Sequence, residues 1–361
     1  MLEPVRRLLL FYGVPADFCR LARVMQSLGL HREDQIHRIQ GFGAAPRGCP
    51  ELGALLTVET LRRLGWAVFY VDTLLDAGVE GNHSISETSM RLQLPADYAA
   101  FANDERVRTE PLRSFHVPAT DSRVGMLGYE IRIAALRRRL LHLASSITLD
   151  LKNDEWLPSD GSSPARELAW QDRLNALRLE LRAFQQTLPP KYTVFSREPA
   201  SDAPGHEIVA LVLLHIRIQM CAIIAGKTQL ILARHFPLLA STTARLTLDK
   251  TNSAEVHARL ERVAHAFEIS NIVEEALKRR PTGHDPEASL GAYVALEALI
   301  FEPMRLQSTH PAVLGDRARL ERALRSLVRF LRSFQRCTQT HGELVSLSQS
   351  WASPFVAHAA V

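Results

Sequence analysis

Apolar side chains recur along this chain at steps of three and four residues, which is the period of an amphipathic or buried α-helix. We find no convincing run in which apolar and polar residues alternate, as they do in a half-buried strand. The pattern predicts helices over residues 16–30, 54–77, 124–147, 165–187, 207–236, 253–278, 287–306 and 317–336. The sequence therefore predicts an all-α fold.

Segments rich in glycine, proline and polar residues separate these helices, and we expect them to be loops. They cover residues 41–50, 153–164, 188–205 and 279–287. None has the length or the compositional bias of a clear linker between domains, and no fixed-period repeat is evident. We therefore expect a single all-α domain over residues 1–361.

The segment IVALVLLHIRIQMCAIIA, residues 208–225, is long and apolar enough to span a bilayer. It nevertheless contains His215, Arg217 and Gln219, and charged side chains are costly in hydrocarbon. The segment therefore predicts a buried core helix. The apolar run near the N-terminus is too short for a convincing signal peptide, so we expect neither export nor a membrane partner.

Composition and charge are those of an ordinary globular protein and give little support for nucleic-acid binding. With 46% hydrophobic and 23% charged residues among 361, the chain has an ordinary globular composition. A net charge of +4, without a basic tail, is weak support for nucleic-acid binding. The four cysteines lack metal-ligand spacing, which favours unpaired thiols in a reducing compartment. They are Cys19, Cys49, Cys221 and Cys337.

The segment ETLRRLGWAVFYVDTLL, residues 59–75, has one aspartate, Asp72, within an apolar run. Its apolar residues cover more than one side of a helix, so we expect the helix to be central and buried, with a stripe that includes Leu64. Asp72 then needs a partner, because an unpaired buried carboxylate is strongly destabilising. Backbone amides of the 78–86 loop and an arginine from another helix are the two candidates.

Glu59 lies three and four residues before Arg62 and Arg63, so it can form ion pairs with both and anchor the start of this helix. His83 lies in the loop that faces the expected end of the helix. We predict a contact between His83 and Asp72, and we include His83 among the candidates for a ligand pocket.

The order Glu59, Arg62, Arg63, Trp66 and Asp72 is followed by a loop with Ile85 and then by Leu92, Leu94 and Pro95. Together with LARVMQSLGLHRE at residues 21–33, it resembles the regulatory middle domain of fungal binuclear-zinc-cluster transcription factors. The resemblance covers roughly residues 16–100 and then fades to a helical pattern. Gly65 departs from it, because the family often has a tryptophan there, and Gly81-Asn82-His83 replaces a glycine-arginine-proline.

The resemblance implies an all-α regulatory scaffold whose motif residues maintain a fold rather than perform a reaction. The family's DNA-binding module, a run of six cysteines that holds two zinc ions, lies N-terminal to this domain, and the chain has no such run. We therefore expect no direct nucleic-acid module. Two explanations stay open: a regulator without its DNA-binding end, whether natural or truncated, or a fold taken over to bind or transform a small molecule.

Few residues in the sequence indicate a catalytic, metal-binding or cofactor-binding site. The chain has no Gly-x-Ser-x-Gly elbow, histidine-glutamate zinc helix or Walker loop, so we expect no metal and no cofactor. Gly41-Phe42-Gly43 is predicted to be a loop rather than a dinucleotide site. The acidic residues Asp150, Asp154 and Glu155 fall largely in a predicted loop and lack the clustering that holds magnesium.

The best remaining candidates for a ligand pocket lie on the predicted helix 207–236. His215 and Gln219 are four residues apart and share a face, whereas Arg217 points to the opposite side. An interhelical cavity with these side chains would suit a small molecule, and ordinary buried hydrogen bonding is the alternative.

Three hypotheses about function follow. The favoured one is a regulator-like protein of the nucleus or cytoplasm, which receives a metabolite or partner signal and self-associates or pairs with full-length regulators. The second is a cofactor-free cyclase or isomerase of fungal secondary metabolism, with an apolar substrate between helices. The third is a decoy that pairs with a full-length homologue and prevents it from binding DNA.

Overall fold

The computed structural model describes most of the helical chain. Its described residues are 14–42, 58–76, 83–103, 105, 107–112, 123–156, 164–193, 205–235, 249–279, 286–306 and 317–335. Helices dominate these ranges, and no strand occurs in them apart from isolated bridges between single residue pairs. The all-α prediction is confirmed.

The helices are named α1 to α11 in chain order. They are α1 Val14–Ser27, α2 Glu33–Phe42, α3 Val58–Leu75, α4 Tyr98–Ala102, α5 Met126–Trp156, α6 Pro164–Thr187, α7 Pro190–Thr193, α8 Gly205–His235, α9 Asp249–Arg279, α10 Pro286–Leu306 and α11 Arg317–Gln335. Each predicted helix is present, with ends that differ by up to nine residues for α5 (147 predicted, 156 observed). The sequence pattern missed α2 and the short helices α4 and α7.

Gly29 explains why α1 stops three residues before the predicted end at 30. Its φ of 71° lies in the left-handed region, which glycine adopts without steric cost. The N–H of Gly29 donates to the carbonyl of Gln26, and the N–H of Leu30 donates to that of Met25. These two bonds form a Schellman cap and turn the chain towards α2.

The prediction of a loop over 153–164 was wrong at both ends. Helix α5 continues to Trp156, and α6 already begins at Pro164. No glycine or proline interrupts residues 153–156, and Asn153, Asp154 and Glu155 are residue types that a helix tolerates. Asp154 and Glu155 therefore lie on a helix. Residues 43–50, 157–163, 194–204 and 280–285 of the predicted loops lie outside the described residues.

The chain divides into two compact units. Unit 1 comprises residues 1–146 and 182–193, and unit 2 comprises 147–181 and 194–361. Helices α5 and α6 thus contribute residues to both units. The expectation of a single domain stays a prediction.

Helix α3 is the central element of unit 1. Trp66 and Phe69 are fully buried, with their rings edge to face at 5.4 Å between centroids. Leu64, which we assigned to the apolar stripe, is instead 47% exposed. At Gly65 a Cβ atom would lie 2.5 Å from the carbonyl oxygen of Leu30. The tryptophan that the family often has at this position could not be accommodated here.

In unit 2, α9 packs against α8, α10 and α11, and the four helices share one hydrophobic core. Gly291 permits the close approach of α8 and α10, because a Cβ atom there would lie 2.2 Å from Cγ2 of Ile216. By length and composition, Ile208–His235 is the one helix among the described residues that could cross a membrane. Its buried Arg217 and its place in this core are those of a core helix.

Candidate functional site

The polar residues of α3 point towards chain segments that have little secondary structure of their own. Glu59 is the first. Its carboxylate accepts hydrogen bonds from Nη1 of Arg62 at 2.5 Å and from Nε of Arg63 at 2.9 Å, which are the two predicted pairs. It also accepts the backbone N–H of Ala96 at 2.9 Å, so the start of α3 holds the end of the 83–97 segment.

The two arginines extend this anchoring. Arg62 is buried and forms an ion pair with Glu33, the first residue of α2. Glu33 in turn accepts the backbone N–H of Gln93 at 3.1 Å. Arg63 donates to the carbonyl oxygen of Ala96 at 2.8 Å. Two carboxylates and two guanidinium groups therefore tie α2, α3 and the 83–97 segment together.

Trp66 and Asp72 bind the same segment further along α3. The indole N–H of Trp66 donates to the carbonyl oxygen of Gln93 at 2.7 Å. Asp72 accepts the backbone N–H groups of Ser84 at 2.8 Å and of Ile85 at 3.0 Å. Nη1 of Arg138, on α5, lies 3.6 Å from the same carboxylate. The structure thus supplies both kinds of partner that we considered for Asp72.

Burial raises the pKa of Asp72 above its ordinary value, although the two amide donors and Arg138 act in the opposite direction. The carboxylate is 2% exposed. Its role is to satisfy peptide groups of a buried irregular segment, which have no helix or sheet partner. The residues on which the family resemblance rests are therefore tethers within unit 1.

A second cluster lies immediately after α3. Asp76 is fully buried, and its Oδ2 atom lies 2.6 Å from Nε2 of His142 on α5. Nδ1 of His83, which begins the next described segment, lies 4.0 Å from the same oxygen. One potential ligand atom from each residue lies within 4.8 Å of the other two. The two imidazole rings are in edge contact, with centroids 5.4 Å apart.

The predicted contact of His83 with Asp72 is replaced by this approach to Asp76. Asp72 is already occupied by two backbone donors and by Arg138. Asp76 lies one helical turn further on, at the end of the helix from which the loop departs, and is therefore nearer to His83.

Arg138 links the two parts of the site. Its Nε atom lies 2.7 Å from Oδ2 of Asp76, and its Nη2 atom donates to the carbonyl oxygen of Ile85 at 3.0 Å. Arg138 and His142 are four residues apart on α5 and so reach the end of α3 from one face. One guanidinium group thus faces two buried carboxylates, those of Asp72 and Asp76.

The pocket candidates of α8 contact different helices in unit 2. Arg217 is fully buried and pairs with Glu287 of α10. Gln219 is hydrogen-bonded through Oε1 to Nδ1 of His265 on α9 at 2.7 Å. Burial lowers the pKa of His265 below its ordinary value. His215 is half-buried on the same helix. These contacts match the buried hydrogen bonding that we considered as the alternative to a ligand pocket.

Comparison of the chain with protein-family models, with curated proteins and with solved structures finds no match. The resemblance to the fungal regulatory domain therefore rests on the motif residues alone.

Sequence reasoning missed the Asp76, His83 and His142 cluster. His142 is 66 residues from Asp76, so no local motif joins them. Two signals were available: His83 in the loop expected to face the end of α3, and a second acidic residue four positions after Asp72.

Proposed function

We propose that this chain is a non-catalytic regulatory scaffold of the type of the fungal transcription-factor middle domain. It receives a signal from a small molecule or a protein partner in the nucleus or cytoplasm. It acts by self-association or by pairing with full-length regulators.

One observation carries this proposal. Glu59, Arg62, Arg63, Trp66 and Asp72 all use their polar atoms to hold neighbouring segments of unit 1. A set of side chains committed to backbone and ion-pair contacts supports a fixed shape rather than proton transfer or nucleophilic attack. This is the role that the resemblance assigns to the motif.

The alternative, a cofactor-free cyclase or isomerase, requires polar side chains that are presented to an apolar substrate. Arg217 and Gln219 were two of its candidates, and they pair with Glu287 and His265 of neighbouring helices. A side chain that is already paired has to break that contact before it can polarise a substrate. This supports the regulator over the enzyme.

Deletion of the gene in its host, followed by measurement of transcripts and metabolites in the same cultures, tests the proposal. A regulator lowers the transcripts of a set of genes together and leaves no single unconverted intermediate. An enzyme leaves one intermediate at unchanged transcript levels, and this result would contradict the proposal. A decoy instead raises the transcripts, because its partner regains DNA binding.

Complementation with His215→Ala separates structure from chemistry. We expect a His215→Ala protein with unchanged helicity and melting to restore the transcripts. A well-folded His215→Ala protein that fails to complement would instead indicate a chemical role for this half-buried imidazole.

A further inference from the structure

The Asp76, His83 and His142 cluster combines two imidazoles and one carboxylate from three parts of unit 1. Asp76 directly follows α3, His83 opens the next described segment, and His142 lies on α5. Two histidines and one carboxylate form the protein ligand set of several zinc and non-haem iron sites, in which further positions are left for water or another ligand.

We propose that Asp76, His83 and His142 bind one divalent transition-metal ion, with Zn²⁺ as the representative of the class. The site goes beyond the regulatory function and does not depend on it. It revises our sequence-based expectation that the protein has no metal site.

Distances within the cluster suit such an ion. Ligand atoms about 2.0 to 2.1 Å from a tetrahedral zinc are roughly 3.3 Å from one another. The observed separations run from 2.6 Å between Asp76 and His142 to at most 4.8 Å. An ion would widen the closest pair by less than about 1 Å and draw His83 inwards. Rotation of the two half-buried imidazoles can provide these shifts.

Two of the three residues also have unused polar atoms. Oδ1 of Asp76 and Nδ1 of His83 are buried, and neither has a hydrogen-bond partner within the described part of the chain. The Asp76 side chain is only 1% exposed, so water does not readily compensate for the missing partner. Such atoms are uncommon in folded proteins, and a bound ion would give them a partner.

The charged groups around Asp76 also favour a bound cation. Asp72 and Asp76 contribute two buried carboxylates, and Arg138 contributes a single guanidinium between them. Two buried carboxylates thus share one guanidinium, and a buried carboxylate is costly without a cationic partner. A divalent cation at Asp76 would supply further positive charge. Arg138 would not bind the ion itself; it would hold the Asp76 carboxylate in place by its hydrogen bond.

Equilibrium binding of Zn²⁺ to the untagged full-length chain, after treatment with a chelator and removal of the chelator, tests the site. The informative variants are His83→Gln and His142→Gln, because glutamine keeps a hydrogen-bonding side chain but removes the imidazole ligand. His257→Gln is the matched control, since His257 is also paired with a carboxylate, Glu261, but is 73% exposed and lies on α9 in unit 2. Asp76→Asn is less suitable, because it leaves Arg138 buried without its closest partner.

We expect the wild type and His257→Gln to bind one equivalent of Zn²⁺ with the same affinity, and His83→Gln and His142→Gln to bind at least tenfold more weakly. Loss of a hydrogen-bonding partner outside the ligands already costs about 10- to 100-fold in metal affinity, and loss of a ligand should cost no less. Zn²⁺ should also raise the melting temperature of the wild type and of His257→Gln more than that of either site variant.

Three results would overturn the proposal. They are the absence of Zn²⁺ binding by the folded wild type, equal binding by the wild type and both site variants, and a loss of binding in only one of the two variants. Circular dichroism of each variant verifies that the comparison is made between folded proteins. Neither the transcript nor the metabolite result of the deletion experiment bears on these outcomes.

Discussion

Ile85 donates its backbone N–H to the carboxylate of Asp72 across 3.0 Å, so that a helix side chain satisfies a peptide group in an irregular segment. Ser84 donates to the other oxygen of the same carboxylate. This arrangement explains why an aspartate stands in the most apolar part of α3. The adjoining segment is buried at Ile85, and its N–H groups need acceptors that the segment itself does not provide.

Asp72→Asn should therefore destabilise the protein by about 3 to 5 kcal/mol, the usual cost of removing one partner from a buried ion pair. The amide loses the charge that faces Arg138, and its NH₂ group replaces one of the two acceptor oxygens. Chemical denaturation measures the change. Asp172→Asn, on the exposed face of α6, is the control and should change the free energy of unfolding by less than about 0.5 kcal/mol. Equal effects of the two substitutions would show that Asp72 is not a tether.

Gly65→Ala should destabilise the protein by about 1 to 3 kcal/mol, although alanine is the better helix former. The new Cβ atom would lie 2.5 Å from a backbone oxygen of Leu30 and 2.9 Å from Cδ1 of Leu92. The backbone oxygen cannot move aside without displacing the turn after α1. Thermal melting checks the result. Ala67→Leu adds more atoms on the exposed side of the same helix and should change the melting temperature little.

Arg217 and Glu287 should show strong coupling in a double-mutant cycle. Each single change, Arg217→Met or Glu287→Gln, leaves one buried charge without its partner and should cost about 3 to 5 kcal/mol. The double variant should cost clearly less than the sum of the two, because both charges are then removed from the core. Additive effects in urea denaturation would show that the two residues do not depend on each other.

Acidification should weaken unit 2 through His265. Burial lowers the pKa of His265 in the folded protein, whereas the unfolded chain keeps the ordinary value of 6.5. As the pH falls through that ordinary value, the unfolded chain binds a proton more readily, so the free energy of unfolding decreases. The contribution of this group is complete above the ordinary value and is progressively lost below it.

His265→Gln should reduce this pH dependence, which is measured as the free energy of unfolding between about pH 7.5 and pH 5. His257→Gln removes an exposed histidine from the same helix and should retain the wild-type slope. An unchanged slope in His265→Gln would assign the pH dependence to other groups.

Zn²⁺ binding by His83→Gln and His142→Gln, compared with the control His257→Gln, tests the metal site separately from the predictions above. A positive result would add a cation to the contacts that hold the end of α3. These contacts already include two interactions of Asp76, with Arg138 and with His142.

The spacing of apolar residues was sufficient to predict the all-α fold and the approximate extent of every long helix in the described part of the chain, because a helical period is a local property of the chain. The same local reasoning anticipated the pairs of Glu59 with Arg62 and Arg63, which are one turn apart. It also predicted that Asp72 needs a partner, since burial of a carboxylate has a cost wherever the partner comes from.

Only the tertiary structure decided which partners those would be. Arg138 and Ile85 reach Asp72 from α5 and from the following segment, and Glu33 reaches Arg62 from α2, a helix that the pattern did not predict. The cluster of Asp76, His83 and His142 likewise depends on the packing of α5 against the end of α3. Contacts between residues dozens of positions apart are determined by how the helices pack, and that information is not contained in the period of any one segment.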